Sequence, residues 1–137
     1  MIVLDTNVVS EVGSVRPNPR IVEWVDFRAA AVTITALTIA ELRYGIARLP
    51  AGRRRDRLER SMGELLGRYS HRVEPFDASA AEHYGSILAE REGVGRPIGI
   101  IDAQIAAICR SLGATLATRN TKDFADTGIE VVDPWQT

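Results

Sequence analysis

The chain has 137 residues, of which 45% are hydrophobic and 26% charged, and this length fits one domain with its own apolar core. Its single cysteine, Cys109, and its two histidines, His71 and His83, exclude a disulfide framework, a cysteine-rich zinc module and a histidine-built metal site. No apolar run approaches the roughly 20 residues that cross a bilayer, and the formal net charge of -1 at first argues against a nucleic-acid partner.

Short strands alternate with amphipathic helices along the chain. In chain order we predict a strand at 1–4, a helical turn at 8–11, a short helix at 21–25, a strand at 31–35, a helical hairpin at 37–49 and 51–69, a strand at 73–76, a helix from Asp77 to about Glu92, a helix at 99–112, and strands at 114–117 and 130–132. This alternation is typical of an α/β domain with a mostly parallel sheet. We expect one domain over residues 1–137, and a cytoplasmic protein because the first residues lack a signal-peptide pattern.

The near-neutral charge results from two opposed regions. Residues 43–72 contain nine arginines and three acids, which leaves six excess positive charges, and the rest of the chain carries seven excess negative charges. Opposed regions of this kind indicate different partners for each region, which the total charge conceals.

Polar residues follow three of the predicted strands. Asp5 follows the first strand, Thr35 ends the second, and Thr118, Arg119 and Asn120 follow the fourth. In open parallel sheets, sites form beyond the carboxyl ends of the strands. Two acids near helix starts and one acid beyond Asn120 complete a set of four carboxylates from distant parts of the chain: Asp5, Glu41, Asp102 and Asp123.

Four converging carboxylates suit a hard divalent cation. Mg²⁺ and Mn²⁺ prefer oxygen ligands, and a bound cation relieves the repulsion between crowded carboxylates. Such a cation lowers the pKa of a water and neutralises phosphate oxygens, which is hydrolase chemistry without cysteine or histidine.

Each acid also has a purely structural explanation. Asp5 is placed to cap the first helix, and Asp102 lies in a first helical turn where any acid favours the helix dipole. Glu41 lies about 120° from the apolar stripe of its helix, which predicts a solvated face. Asp123 is placed to cap a turn around Phe124. Spacing alone leaves both explanations open.

Several stretches together make the chain recognisable: residues 2–7 (IVLDTN), 38–45 (TIAELRYG), 102–106 (DAQIA), 117–124 (ATRNTKDF) and 132–135 (VDPW). With these stretches the chain resembles the PIN-domain ribonucleases, specifically the VapC-type toxins of type II toxin–antitoxin systems, and its ending resembles the FitB-like branch. The resemblance covers almost the whole chain. It implies a three-layer α/β/α sandwich with a mostly parallel central sheet, and cleavage of RNA phosphodiester bonds by water activated by Mg²⁺ or Mn²⁺.

The resemblance also implies roles for individual residues. Asp5, Glu41 and Asp102 match the most dependable metal-binding and catalytic acids of the family. Asp123 matches a fourth acid in some relatives, whereas others have an acid where this chain has Asn120. The residues that fit a role in holding these carboxylates in place are Thr6, Asn7, Thr118 and Asn120.

Partners follow from the same resemblance. The family pairs with a small VapB- or FitA-like antitoxin, forms homodimers that assemble into larger complexes, and reaches operator DNA only through the antitoxin. The side chains that we expect to contact either RNA or the antitoxin are Arg43, Tyr44, Arg48, Arg53, Arg54 and Arg55. The alternative is a solvated helix with ordinary ion pairs, such as Asp56 with Arg60.

Two other functions remain open at this point. A receiver-like signalling domain also gathers acids at strand ends, but it needs a mid-chain strand that ends in an acceptor aspartate, and residues 36–69 look helical. A catalytically idle PIN scaffold would only bind a partner. Metal-dependent RNA cleavage by the isolated chain separates these alternatives from the ribonuclease.

Overall fold

A five-stranded sheet lies at the centre of the computed structural model, which describes residues 1–137. Its strands are β1 (Ile2–Leu4), β2 (Val32–Thr35), β3 (Val73–Glu74), β4 (Thr115–Ala117) and β5 (Val131–Val132). They lie in the order β3-β2-β1-β4-β5, and every neighbouring pair is parallel. Each predicted strand is present, although one or two residues shorter than predicted, and the expected parallel sheet is confirmed.

Six helices connect the strands. They are α1 (Thr6–Val12), α2 (Pro19–Phe27), α3 (Ala36–Ala47), α4 (Arg53–Arg68), α5 (Ala78–Gly93) and α6 (Ile100–Leu112), with 3₁₀ turns at Thr121–Phe124 and Pro134–Gln136. Their ends follow from local chemistry. Asp77 caps α5 because its Oδ1 accepts the Ala80 N–H at 2.9 Å. Gly113 ends α6 in a left-handed conformation with φ of 63°. None of the helices combines the length and apolarity needed to span a bilayer.

Helices cover both faces of the sheet and give three layers. Val3 and Leu4 are almost fully buried on opposite faces, because side chains alternate along a strand. Leu4 packs in a core with α1 to α4, and Val3 packs in a second core with α5 and α6. Burial on both faces accounts for the uninterrupted apolar run of β1. The predicted α/β/α sandwich is therefore confirmed.

The strand order reverses between β1 and β4. The chain leaves β1 towards β2 on one side, and it returns after α6 to place β4 on the other side. Leu4 and Ala117 are partners in the parallel register, and the Asp5 N–H donates to the Ala117 carbonyl at 2.9 Å. Such a reversal opens a crevice at the carboxyl ends of the two strands. The residues that follow them, Asp5 and Thr118, therefore meet at this crevice.

Candidate active site at the carboxyl ends of β1 and β4

Asp5 is buried in the crevice and held by three donors. Its Oδ1 accepts the Thr6 N–H at 2.8 Å, and its Oδ2 accepts the Thr118 hydroxyl at 2.7 Å and the Asn7 amide at 3.2 Å. Burial raises the pKa of Asp5, the hydrogen bonds from Thr118 and Thr6 oppose this rise, and the charge of Glu41 adds to it. Asp5 thus caps α1 and also presents a fixed carboxylate.

Glu41 reaches the same crevice from α3. Its Oε1 accepts the Thr6 hydroxyl at 2.7 Å, and that hydroxyl lies 3.1 Å from the Thr38 hydroxyl. Thr35 caps α3 by accepting the Thr38 N–H at 3.1 Å. Threonines of α1 and α3 therefore connect Glu41 to the segment that carries Asp5. The Glu41 side chain is half-buried, so the alternative explanation of a solvated helix face does not describe it.

Asp102 lies in the first turn of α6 and faces the other acids. Burial, together with the charges of Asp5, Asp123 and Glu41, raises its pKa to about 6, although the charge of Arg91 opposes the rise. The four acids named from the sequence are therefore close enough to affect one another electrostatically. A carboxyl with a pKa near neutrality in a crevice is typical of a functional site.

Asp123 and Asn120 lie at the exposed rim of the crevice. Asp123 belongs to the 3₁₀ turn Thr121–Phe124, whose position is fixed by the buried Phe124 side chain. Asn120 donates its backbone N–H, not its side chain, to the Thr118 hydroxyl at 3.1 Å. The Asn120 side-chain amide therefore makes no hydrogen bond to the acids. The negative charge of the Asp123 carboxylate, in contrast, helps to raise the pKa of Asp102.

The acids do not form a preassembled metal cage. No group of three or more His, Cys, Asp or Glu side chains has the proximity required to hold one ion. The two ion pairs of the chain, Arg96–Asp126 and Arg110–Glu90, involve none of the four acids. The four carboxylates repel one another, and no basic side chain is paired with them. A divalent cation bound among them would relieve this repulsion and draw them together.

Thiol chemistry does not fit this crevice. Cys109 is buried in the core of α5 and α6, and burial raises its pKa to about 12. The thiol is therefore protonated and unreactive at neutral pH.

Arg91 is a residue of the site that the sequence analysis missed. It lies at the end of α5 and is only 5% exposed. Its Nη1 donates to the carbonyls of Asp123 at 2.6 Å and Ala125 at 3.0 Å. A signal was present in the sequence, because Arg91 follows the buried Ile87 by four residues and thus lies on the apolar face of α5.

The arginine-rich arm, defined as residues 43–60, is mostly exposed. Arg53 and Arg54 point into solvent, whereas the half-buried Arg55 donates to the Leu49 carbonyl at 3.3 Å and so supports the turn between α3 and α4. The prediction of an Asp56–Arg60 ion pair is wrong, since neither residue takes part in an ion pair. The arm therefore presents unneutralised positive charge.

Tyr44 and Arg48 form a small exposed surface on α3. The Tyr44 side chain is 67% exposed, and the Arg48 guanidinium lies 5.7 Å from its ring centroid. Arg43, also on α3, is exposed as well. These residues are available to a partner and lie on the helix that carries Glu41.

Arg119 lies beside the crevice, next to a cavity of about 260 Å³ lined in part by Asn7, Ser10 and Trp135. Its backbone N–H donates to the Asn7 Oδ1 at 3.1 Å, and its guanidinium lies 4.9 Å from the Trp135 ring centroid. Trp135 packs against the apolar core to which the buried Trp24 belongs.

Comparison with known proteins points to one family. The sequence model of the PIN domain matches residues 2–130. The VapC ribonuclease Y4jK of Sinorhizobium fredii is 40% identical to this chain, with 99% of each protein aligned. The toxin FitB of Neisseria gonorrhoeae is 38% identical, with 98% of this chain and 99% of that protein aligned.

Solved structures give the same result. A chain in the crystal structure of FitAcB from Neisseria gonorrhoeae superimposes with a TM-score of 0.89 at 37% identity, covering 100% of both chains. A chain of the DNA-bound VapBC from Salmonella typhimurium superimposes with a TM-score of 0.80 at 30% identity, covering 97% of both chains.

Proposed function

The chain belongs to the PIN-domain family, and from that premise we infer that it is the ribonuclease toxin of a type II toxin–antitoxin module. The observation that carries this function is the crevice between β1 and β4, where Asp5 is held by three hydrogen bonds beside acids that have no paired cation. We propose that residues 1–137 act as one PIN domain in the cytoplasm and that the cation is Mg²⁺ or Mn²⁺.

We propose Asp5, Glu41, Asp102 and Asp123 as the residues that hold the cation. When bound, the cation supplies an acidified water and neutralises charge on the phosphate oxygens. Asp5 and Glu41 are oriented by Thr6 and Thr118, so that little rearrangement is needed on their side of the crevice. Asp123 approaches from the rim, and we prefer it to Asn120 because only the backbone of Asn120 contacts the crevice residues.

A receiver-like function finds no support in the fold. It needs an acceptor aspartate at the end of a mid-chain strand, and β2 ends in Thr35 while β3 ends in Glu74. The idle scaffold is distinguished only by an assay of the isolated chain.

The function is tested by incubating the purified chain, free of antitoxin, with transfer RNA and ribosomal RNA. We expect cleavage with Mg²⁺ or Mn²⁺, products with a 5′-phosphate, and loss of cleavage in EDTA. Mapping of RNA 5′ ends after induced expression identifies the cut site. Cleavage that persists unchanged in EDTA would contradict the metal mechanism, and a chain that cuts no RNA with either cation would be a scaffold.

We propose that the exposed arginines of the arm bind RNA phosphates. In an uncleaving Asp5→Asn background, changing Arg53 and Arg54 to glutamine should weaken RNA binding, because two phosphate contacts are lost. For single-stranded RNA the slope of log K against log salt should fall by about 1.4. Binding measured by fluorescence anisotropy across salt concentrations checks this.

The matched control removes two exposed arginines from outside the arm. Arg16 and Arg20 changed to glutamine should reduce the salt slope much less, although the net charge changes equally. Equal effects of the two pairs would mean that only the overall charge matters. Arg55 is left in place because its contact with Leu49 supports the turn.

The partner that we propose is a VapB- or FitA-like antitoxin. The similar structures are FitAcB and DNA-bound VapBC, which supports a complex that reaches operator DNA through the antitoxin. We propose that Arg43, Tyr44 and Arg48 contribute to this interface because they are exposed on one helix. We also propose that the toxin pairs as a homodimer within the larger complex.

A further inference from the structure

Arg91 carries a charge that is buried without a carboxylate partner. Its side chain is 5% exposed, and neither ion pair of the chain includes it. A guanidinium in such a place is costly unless its donors are satisfied, and an apolar side chain of similar volume is often as good or better for stability. Packing alone therefore gives a weak reason for an arginine at this position.

The acceptors of Arg91 all belong to the main chain of two loops. Its Nε donates to the Arg96 carbonyl at 2.5 Å, and its Nη1 donates to the carbonyls of Asp123 and Ala125 at 2.6 and 3.0 Å. The first loop leads into α6, whose first turn carries Asp102. The second contains the turn with Asp123. One side chain thus joins the backbone segments that present two of the four acids.

The other side-chain hydrogen bond between these loops is exposed. Arg96 pairs with Asp126 at 2.8 Å, but the two side chains are 56% and 50% exposed. Exposed pairs contribute roughly 0–1 kcal/mol. Within the second loop the Thr127 hydroxyl donates to the Phe124 carbonyl at 2.6 Å, and the buried Phe124 side chain belongs to the apolar core against which Ile98 of the first loop also packs. Arg91 supplies the buried hydrogen bonds between the two loops, in addition to this apolar contact.

We propose that Arg91 is a positioning residue that fixes the backbone at Asp123 relative to the start of α6, and so sets the separation of the Asp123 and Asp102 carboxylates. Fixed main-chain geometry matters here because residues behind the ligands of a metal typically change its affinity by about 10–100-fold. The inference rests on the proposed function, since it assigns Arg91 to the same crevice.

The test measures Mn²⁺ binding by electron paramagnetic resonance on purified variants, together with kcat and KM for RNA. Arg91→Met removes every donor, and Arg91→Lys keeps the charge but replaces the planar fork with one ammonium group. Arg110→Met is the control, because Arg110 is partly buried on α6 and pairs with Glu90 away from the acids. Melting temperatures are recorded for all three variants.

We expect Arg91→Met to weaken Mn²⁺ binding by about 10-fold or more and to lower kcat with little change in KM. Arg91→Lys should restore part of the affinity, and Arg110→Met should leave it within about twofold even where its melting temperature falls. In an Asp123→Ala background, Arg91→Met should lower the Mn²⁺ affinity by less than about twofold, because the carboxylate that Arg91 positions is already absent.

Wild-type Mn²⁺ affinity in a folded Arg91→Met variant would overturn the proposal and reduce Arg91 to a stabilising residue. If Arg91→Met does not fold, Arg91→Lys decides, and an affinity equal to that of the wild type would be the contrary result. Failure of the proposed function would give a different result, because the wild-type chain itself would then bind no Mn²⁺ and cut no RNA.

Discussion

The Asp5→Asn variant is expected to lose RNA cleavage by about 10²–10³-fold or more and to keep its fold. Activity falls because the amide brings no negative charge to the crevice, where Asp5 is the most deeply buried of the four acids. A cleavage assay with Mn²⁺ and a urea unfolding curve at pH 7 measure the two effects.

The loss of stability is limited because the charge of Asp5 is itself unfavourable in the folded state. Burial raises its pKa, so that the ionised carboxylate is less favourable in the folded chain than in the unfolded chain at pH 7. Asparagine keeps an oxygen for the Thr6 N–H and removes the charge, but its amide nitrogen replaces the oxygen that accepts the Thr118 hydroxyl and the Asn7 amide, so these two hydrogen bonds are lost. Because the lost hydrogen bonds and the removed charge act in opposite directions, we expect the free energy of unfolding to stay within about 1–3 kcal/mol of the wild type.

A matched control is available in α5. Asp77 caps its helix by accepting a backbone N–H, as Asp5 does in α1, but it takes no part in the crevice. Asp77→Asn makes the same chemical change and should leave cleavage unchanged, since asparagine is an equally good cap. If Asp5→Asn retains wild-type cleavage that EDTA abolishes, the assignment of Asp5 fails. If it unfolds, the structural role of Asp5 has been underestimated.

The sequence predicted those parts of the fold that depend on local pattern. The apolar run of β1 ends at Asp5, and the carboxyl ends of parallel strands share one edge, so the place of Asp5 follows from residues 1–5 alone. Apolar stripes likewise predicted the long helices, because each stripe must face the sheet. The predicted strands were one or two residues too long: four of them begin one residue later than predicted, and β3 ends two residues earlier, because a residue at the end of an apolar run need not pair in the sheet.

Contacts between segments that are distant in the sequence could not be predicted from local pattern. The helical wheel places Glu41 away from the apolar stripe of α3, yet its carboxylate accepts the Thr6 hydroxyl because α1 and α3 are packed side by side. The role of Arg91 depends on two loops that meet only in the folded chain. The Asp56–Arg60 pair had the correct spacing but did not form, which is usual for flexible exposed side chains.

The metal-free protein is expected to lose stability as the pH rises from about 4 to about 7. The pKa of Asp102 is raised from 3.8 to about 6, so across this interval the folded state holds a proton that the unfolded state has released. Stability then falls with increasing pH, because it rises with pH only where the unfolded state binds more protons. The shift corresponds to a loss of about 1–3 kcal/mol, and the raised pKa of Asp5 acts in the same direction.

Urea unfolding in EDTA at several pH values measures this dependence, and Asp102→Asn provides the control. The variant lacks the titrating group, so its curve should be flatter and it should be more stable than the wild type at pH 7. Addition of Mn²⁺ should reverse the slope for the wild type, because the cation binds the ionised carboxylates and competes with protons. A wild-type curve in EDTA that coincides with that of Asp102→Asn would show that the crevice does not oppose ionisation of Asp102. The cation would then have no repulsion to relieve there, and the physical reason for placing it among these acids would be lost.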